Sequence, residues 1–246
     1  MSNDAGIAIV GTGLSAMACA KALVARGIKV TILDAGEELP EDRKAALASM
    51  KWAPSEKWDH NDRSLVTQNS TIKTSDIPQK LAFGSDYVYA RGRFPLPLSG
   101  KMENSLSYTF SKGGFSNVWG GAILPMADCD MKDWPIRQQD LEPYYRKILT
   151  SLPFSGIEDN IAREFPLYLD TPPAAVRLTP SMEAMLDDFN LAGKSLTQSN
   201  ILAGMARLAV GTRPTPTSPG CDGCGLCLTG CPRGAIYNSW TDIDGM

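Results

Sequence analysis

The sequence predicts an α/β fold, and three observations carry that prediction. An apolar run, Ile7–Val10, leads into a glycine turn at Gly11–Gly13. Ala16, Ala20, Leu23 and Val24 then recur at helical spacing. A second β-rich run, Lys29–Leu33, ends at Asp34. In that order they make a strand–turn–helix–strand unit, with two parallel strands joined through a crossover helix.

Each element has its own justification. Ile7–Val10 is apolar at every position, as expected of a strand buried on both faces of a parallel sheet. Ser15 is placed to cap the helix, and Gly27 to end it. Farther on, Glu41–Met50 reads as a helix and Asp86–Ala90 (DYVYA) as a strand. Lys112–Ala122 (KGGFSNVWGGA) is too rich in glycine for a helix interior or a central strand. Gln139–Leu149 predicts a helix with an early proline, Ser181–Asn190 another helix, and Ala206–Val210 a short strand. Thr212–Gly220 (TRPTPTSPG) is a stiff, proline-rich lead-in to a cysteine run.

The first glycine loop, Val10–Ala16 (VGTGLSA), has the spacing Gly-x-Gly-x-x-Ala. Gly11 permits the tight turn, Gly13 lets main chain approach a pyrophosphate, and Ala16 lets helix and strand pack closely. The helix opening at Leu14 and Ser15 points free N–H groups and its positive dipole end at the phosphates. Asp34 follows about 20 residues on, where a carboxylate accepts from a ribose hydroxyl. An acid there disfavours NADP, whose 2′-phosphate it would repel, but does not separate FAD from NAD.

Bulk properties exclude other classes. The 246-residue chain has a net charge of −3 and a pI near 5.3, with no basic cluster interleaved with aromatics, so nucleic acid is not an expected partner. Six cysteines are too few for a disulfide-built scaffold of this length. No apolar run reaches the roughly 18 residues of a spanning helix, and the leader MSNDAG lacks the basic residues of an export signal. A cytoplasmic protein with reduced thiols is expected.

Two further stretches carry a family resemblance. Gly113–Pro125 (GGFSNVWGGAILP) resembles the flavin-contacting loop of the glucose–methanol–choline (GMC) oxidoreductases. Asp133–Leu149 (DWPIRQQDLEPYYRKIL) is similar to that family's Trp-Pro … Asp-Leu-x-Pro-Tyr-Tyr segment. The resemblance implies a Rossmann-type FAD-binding domain, incomplete in this chain, with inserted irregular α+β segments. It places Gly11, Gly13, Asp34 and Gly36 on the ADP half of FAD, and Gly113, Gly114, Ser116, Asn117 and Trp119 along the pyrophosphate and isoalloxazine. Asp34 stands where many flavoproteins carry Glu, with the same acceptor chemistry.

Cys221, Cys224, Cys227 and Cys231, followed by Pro232, have the spacing C-x2-C-x2-C-x3-C-P of bacterial ferredoxins. Gly223, Gly225 and Gly230 would let the chain curl around an iron–sulfur cluster and aim N–H groups at its sulfides. Structural zinc usually pairs two knuckles across a longer spacer, and disulfides need an exported protein; the spacing favours a cluster. The ending CPRGA is similar to cysteine segments of GMC-like sugar dehydrogenases that hold a [3Fe–4S] cluster, which leaves 4Fe–4S and 3Fe–4S both open. Cys19 and Cys129 are expected bystanders.

Three regions follow: a βαβ ADP-binding unit at 1–36, flavin-covering and partial substrate-domain segments at 37–211, and the lead-in with the cysteine loop at 212–246. The expected activity is FAD-dependent oxidation of a CH–OH group in a small alcohol or sugar. Electrons would leave through the cluster to a protein acceptor or quinone. The alternative is a flavin/iron–sulfur electron-transfer protein without an alcohol substrate. The family's proton-abstracting histidine has no counterpart here, since the single histidine, His60, lies in a polar stretch. The chain is therefore expected to be an N-terminal portion, inactive alone, with its base beyond Met246.

Overall fold

The computed structural model describes residues 6–67, 87–88, 108–171, 173–227 and 231–245. The chain divides into two compact units. One comprises Met1–Trp119, Gly225–Pro232 and Asn238–Met246; the other comprises Gly120–Cys224 and Arg233–Tyr237.

The first unit opens with the predicted βαβ element. Strand β1 (Ile7–Val10) pairs in parallel with β2 (Val30–Leu33), Ile7 opposite Val30 and Val10 opposite Leu33, with helix α1 (Leu14–Val24) between them. Helix α1 buries Met17 and Ala20. The chain leaves it through a turn at Gly27, whose φ of +73° suits a residue without Cβ. Two expectations are corrected here. Ser15 is exposed inside the helix, and the residue that opens it is Gly13, with no side chain capping. Strand β1 is not buried on both faces: Val10 is 83% exposed. Among the described residues the sheet has two strands, too few to supply the neighbours and covering helices that bury a parallel strand.

Helices α2 (Glu41–Trp52) and α3 (His60–Thr67) pack Ala46, Met50 and Val66 into the unit's buried apolar cluster, against which Leu226 of the cysteine run also packs. Trp58 closes the connection by donating its indole N–H to the Met50 and Ala53 carbonyls at 2.8 and 3.1 Å. The strand expected at 86–90 lies outside the described residues apart from Tyr87 and Val88, which sit in a helical turn.

The second unit contains α4 (Gln138–Ser151, with Pro143 inside), α5 (Pro180–Leu191) and the short α6 (Gly193–Gln198). Thr179 caps α5 by accepting from the Met182 amide, with Pro180 at the first helical position. The strand expected at 206–210 is instead a set of single bridges. Leu208 meets both Ala122 and Ser155, and Val210 meets Ile236. Changing partner this often prevents a ladder from propagating. Beside it, the buried Arg207 guanidinium donates to Asp159 at 2.8 Å and to the Met205 carbonyl at 2.8 Å. No helix among the described residues is long and apolar enough to cross a membrane.

Candidate dinucleotide-binding site

The first glycine loop is formed as its residues dictate. The Gly11 amide donates to the Leu33 carbonyl at 2.7 Å, which closes the turn onto β2, and Gly11 has a φ of +87°. Among the described residues, a Cβ on Gly11 or Gly13 would meet nothing within 4 Å, so the outer side of the loop is open there. With no side chain capping α1 and no acid in its first turn, the amides at Leu14 and Ser15 face an anion-attracting helix end. These are the features that a pyrophosphate requires, and the loop fits one.

Asp34, exposed at the end of β2, is held at both oxygens. Oδ2 accepts from the Thr12 hydroxyl at 2.6 Å, and Oδ1 accepts from the Gly36 amide at 2.7 Å. Each oxygen has further lone-pair capacity for an incoming hydroxyl.

The second glycine loop folds as a 3₁₀ turn over Gly114–Asn117, entered through Gly113 at φ +83°. It lies against the first loop. The Gly113 amide donates to the Thr12 hydroxyl at 2.8 Å, and a Cβ on Gly114 would sit 3.2 Å from the Gly13 Cα. The Asn117 amide group ties the turn to the Lys112 and Gly114 carbonyls at 2.7 and 2.8 Å. Ser116 is buried and donates to the Gly113 carbonyl. The side chains of Ser116 and Asn117 thus brace the loop, while Trp119, half-buried, follows at its exit.

A third segment completes the cluster, and sequence reasoning did not find it. Ser239 is fully buried; its hydroxyl reaches the Thr12 carbonyl at 2.8 Å and meets the Ser116 hydroxyl at 3.0 Å. Asn238 pairs with Asn117, Asp242 pairs with Lys21 of α1 at 3.0 Å, and Trp240 lies under the Lys112 ammonium, 4.0 Å from its ring centre. Ser239, Trp240 and Asp242 lie together on one 3₁₀ helix, Ser239–Gly245.

Lys112 also pairs with Glu38, which Lys44 contacts from its other side at 2.6 Å. The hydrogen bond from Lys112, then that from Lys44, holds the Glu38 carboxyl down at about 2, against a slight opposing effect of burial. A depressed carboxyl contributes stability above its ordinary pKa of 4.5 and loses it as pH falls through about 2. Glu38→Gln should therefore lower the thermal midpoint at pH 5, with the difference from wild type shrinking toward pH 2. The pair is partly exposed, so the effect is modest and diminishes with added salt. A difference that persists undiminished at pH 2 would contradict this assignment.

In the cysteine run, the Cys221 amide donates to the Gly211 carbonyl at 2.8 Å. Asp222 accepts from the Cys224 amide at 3.2 Å and from Arg233 Nε at 2.9 Å. Burial opposes the charge on Asp222, but the bond and charge of Arg233 outweigh it and keep the carboxyl below its ordinary range. The division between the two units falls inside the run, after Cys224. Among the described residues, no group of three or more His, Cys, Asp or Glu side chains is placed to hold a metal ion. Cys19 and Cys129 are exposed, and His60 is exposed at the first residue of α3.

The family model for an NAD(P)-binding Rossmann-like domain matches residues 9–39. That stretch contains the glycine turn, α1, β2 and the Asp34–Gly36 corner. It is a Rossmann-like dinucleotide-binding unit, the kind of module with which oxidoreductases hold a nicotinamide or flavin nucleotide. No curated protein matches the chain.

Proposed function

We propose that this chain is the cofactor-binding part of an FAD-dependent oxidoreductase of GMC type, acting on the CH–OH group of a small alcohol or sugar. The observation that carries the reading is the meeting of two glycine bends, Gly11–Gly13 and Gly113–Gly114, on one buried hydroxyl, that of Thr12. NAD-binding units need only the first bend; a second loop laid beside it suits the longer flavin nucleotide. Asp34 would hold the ribose, and the Gly36 amide would hold Asp34. The amides of Leu14 and Ser15, with the open face at Gly11 and Gly13, would hold the pyrophosphate. Gly113, Gly114, Ser116, Asn117 and Trp119 would offer main chain along the ring side, with the Ser116 and Asn117 side chains keeping the loop's shape. When bound, FAD supplies a two-electron acceptor for hydride.

The cysteine run supports a second element of the proposal, an iron–sulfur cluster, by its spacing. That spacing also favours the second reading, a flavin/iron–sulfur electron-transfer protein without an alcohol substrate.

Titrating the purified chain with FAD and with NAD tests the cofactor. One FAD per chain is expected, with NAD binding more weakly. Asp34→Ala should weaken FAD about 10- to 100-fold, the value of charge-assisted hydrogen bonds to a ribose. Failure to take up FAD, or uptake of NAD in its place, would remove the flavin reading. Iron and acid-labile sulfide in anaerobically purified protein would support the cluster; zinc near one per chain would replace it.

A further inference from the structure

The residue between the two glycines of the first loop reads as filler in the sequence, yet its hydroxyl is one of the most constrained groups in the molecule. Thr12 is 3% exposed. A threonine hydroxyl has one proton to donate and can accept in return. The Gly113 N–H can only donate, so at 2.8 Å the hydroxyl must accept from it. The carboxylate of Asp34 can only accept, so at 2.6 Å the hydroxyl's single proton must point at Oδ2. Neither direction can reverse while Asp34 is ionised. The hydroxyl is therefore locked, and so is the carboxylate, whose other oxygen is held by the Gly36 amide at 2.7 Å.

The consequence concerns the exposed side of Asp34. A carboxylate on a short side chain at a strand end can rotate about its terminal bond, which is broad and two-fold. One donor on each oxygen, the Thr12 hydroxyl on one and the Gly36 amide on the other, restrains that freedom and leaves the outward lone pairs fixed in one plane. That arrangement suits the paired 2′- and 3′-hydroxyls of a ribose. We propose that Thr12 is a positioning residue, which sets the Asp34 carboxylate for the ribose diol of an adenosine-diphosphate cofactor and joins that setting to the second glycine loop. This rests on the dinucleotide reading above and deepens it. It also assigns Thr12 a share in selectivity, because an oriented carboxylate gains most from a ligand that presents both hydroxyls.

The test compares two probes, ADP and 2′,3′-dideoxy-ADP, by calorimetric titration of the full chain. In wild type, ADP should bind more tightly by roughly tenfold or more, since the dideoxy probe leaves Asp34 without its two donors. Thr12→Val keeps the shape but removes the hydroxyl; the preference for ADP should fall about five- to tenfold. Thr12→Ser restores the hydroxyl and should restore the preference. If Thr12 only supports the second loop, Thr12→Val weakens both probes equally and the preference is unchanged, which overturns the proposal. Should Thr12→Val not fold, Thr12→Ala is held to the same ratio. Wild type that binds ADP without discriminating the dideoxy probe overturns the role of Thr12 alone. Wild type that binds neither ADP nor FAD overturns the dinucleotide reading with it.

Discussion

Gly113→Ala is expected to destabilise the protein by about 2–5 kcal/mol, measured as a shift in the urea midpoint at unchanged slope. Two costs combine. At φ +83° an L-residue costs about 1–2 kcal/mol. The added Cβ would also lie 2.6 Å from Asn238 Oδ1 and 3.2 Å from the Trp240 Cβ, an overpacking worth about 1–3 kcal/mol. Asn238 cannot simply swing aside, because the same oxygen accepts from the Trp240 amide at 2.9 Å and its side-chain amide donates to Asn117. Gly11→Ala is the control: its φ is +87°, but the space is open, so only the backbone cost of about 1–2 kcal/mol applies. Equal losses in the two variants would mean that the Asn238–Trp240 segment does not press on the second loop. The same pair separates stability from binding, since the open face at Gly11 is the one proposed above for the pyrophosphate.

The second large effect belongs to the other unit. Asp159→Ala should cost about 3–5 kcal/mol, because it strands the guanidinium of Arg207, which is 1% exposed. Asp159 accepts twice, from Arg207 at 2.8 Å and from the Met205 amide at 2.6 Å, so its removal leaves a buried charge and a backbone donor without their acceptor. Arg207 Nε already lacks a partner among the described residues, so the guanidinium has little to fall back on. Gly204 is small for the same reason: a Cβ there would lie 2.5 Å from the Asp159 carboxylate. Replacing both charges together, as Asp159→Leu with Arg207→Met, should recover most of the loss, since a desolvated ion pair is often matched by apolar residues of similar volume. A double variant as unstable as Asp159→Ala would argue that the carboxylate's bond to the Met205 amide, not the ion pair, holds the region.

Local features were the legible ones. The βαβ unit could be read because each of its parts is short-range: an apolar run, a glycine turn, a 3.6-residue period, and an acid at the strand end. Helices α2, α4 and α5 followed from the same periodicity to within a residue or two. Burial was not legible. Val10 is as apolar as any core residue, yet it is exposed, because burial depends on what lies across the sheet. The short strand expected near Leu208 failed for a related reason: β-propensity marks a chain that fits a pleated surface, not one that finds a continuous partner. At the cysteines, spacing describes what thiolates could surround, while the observed contacts of Asp222 with Arg233 and of Leu226 with the α2–α3 core follow from neighbours that spacing does not encode.

By itself the sequence determined the dinucleotide-binding turn, since tight turns and helix starts are written in consecutive residues. Only the tertiary structure decided what surrounds that turn: the second glycine loop on Thr12, and Ser239 closing over both. Those bonds join residues 101 and 227 positions apart. A hydroxyl buried by such distant partners leaves no period or spacing in the chain, because its role is set by the groups that fold against it.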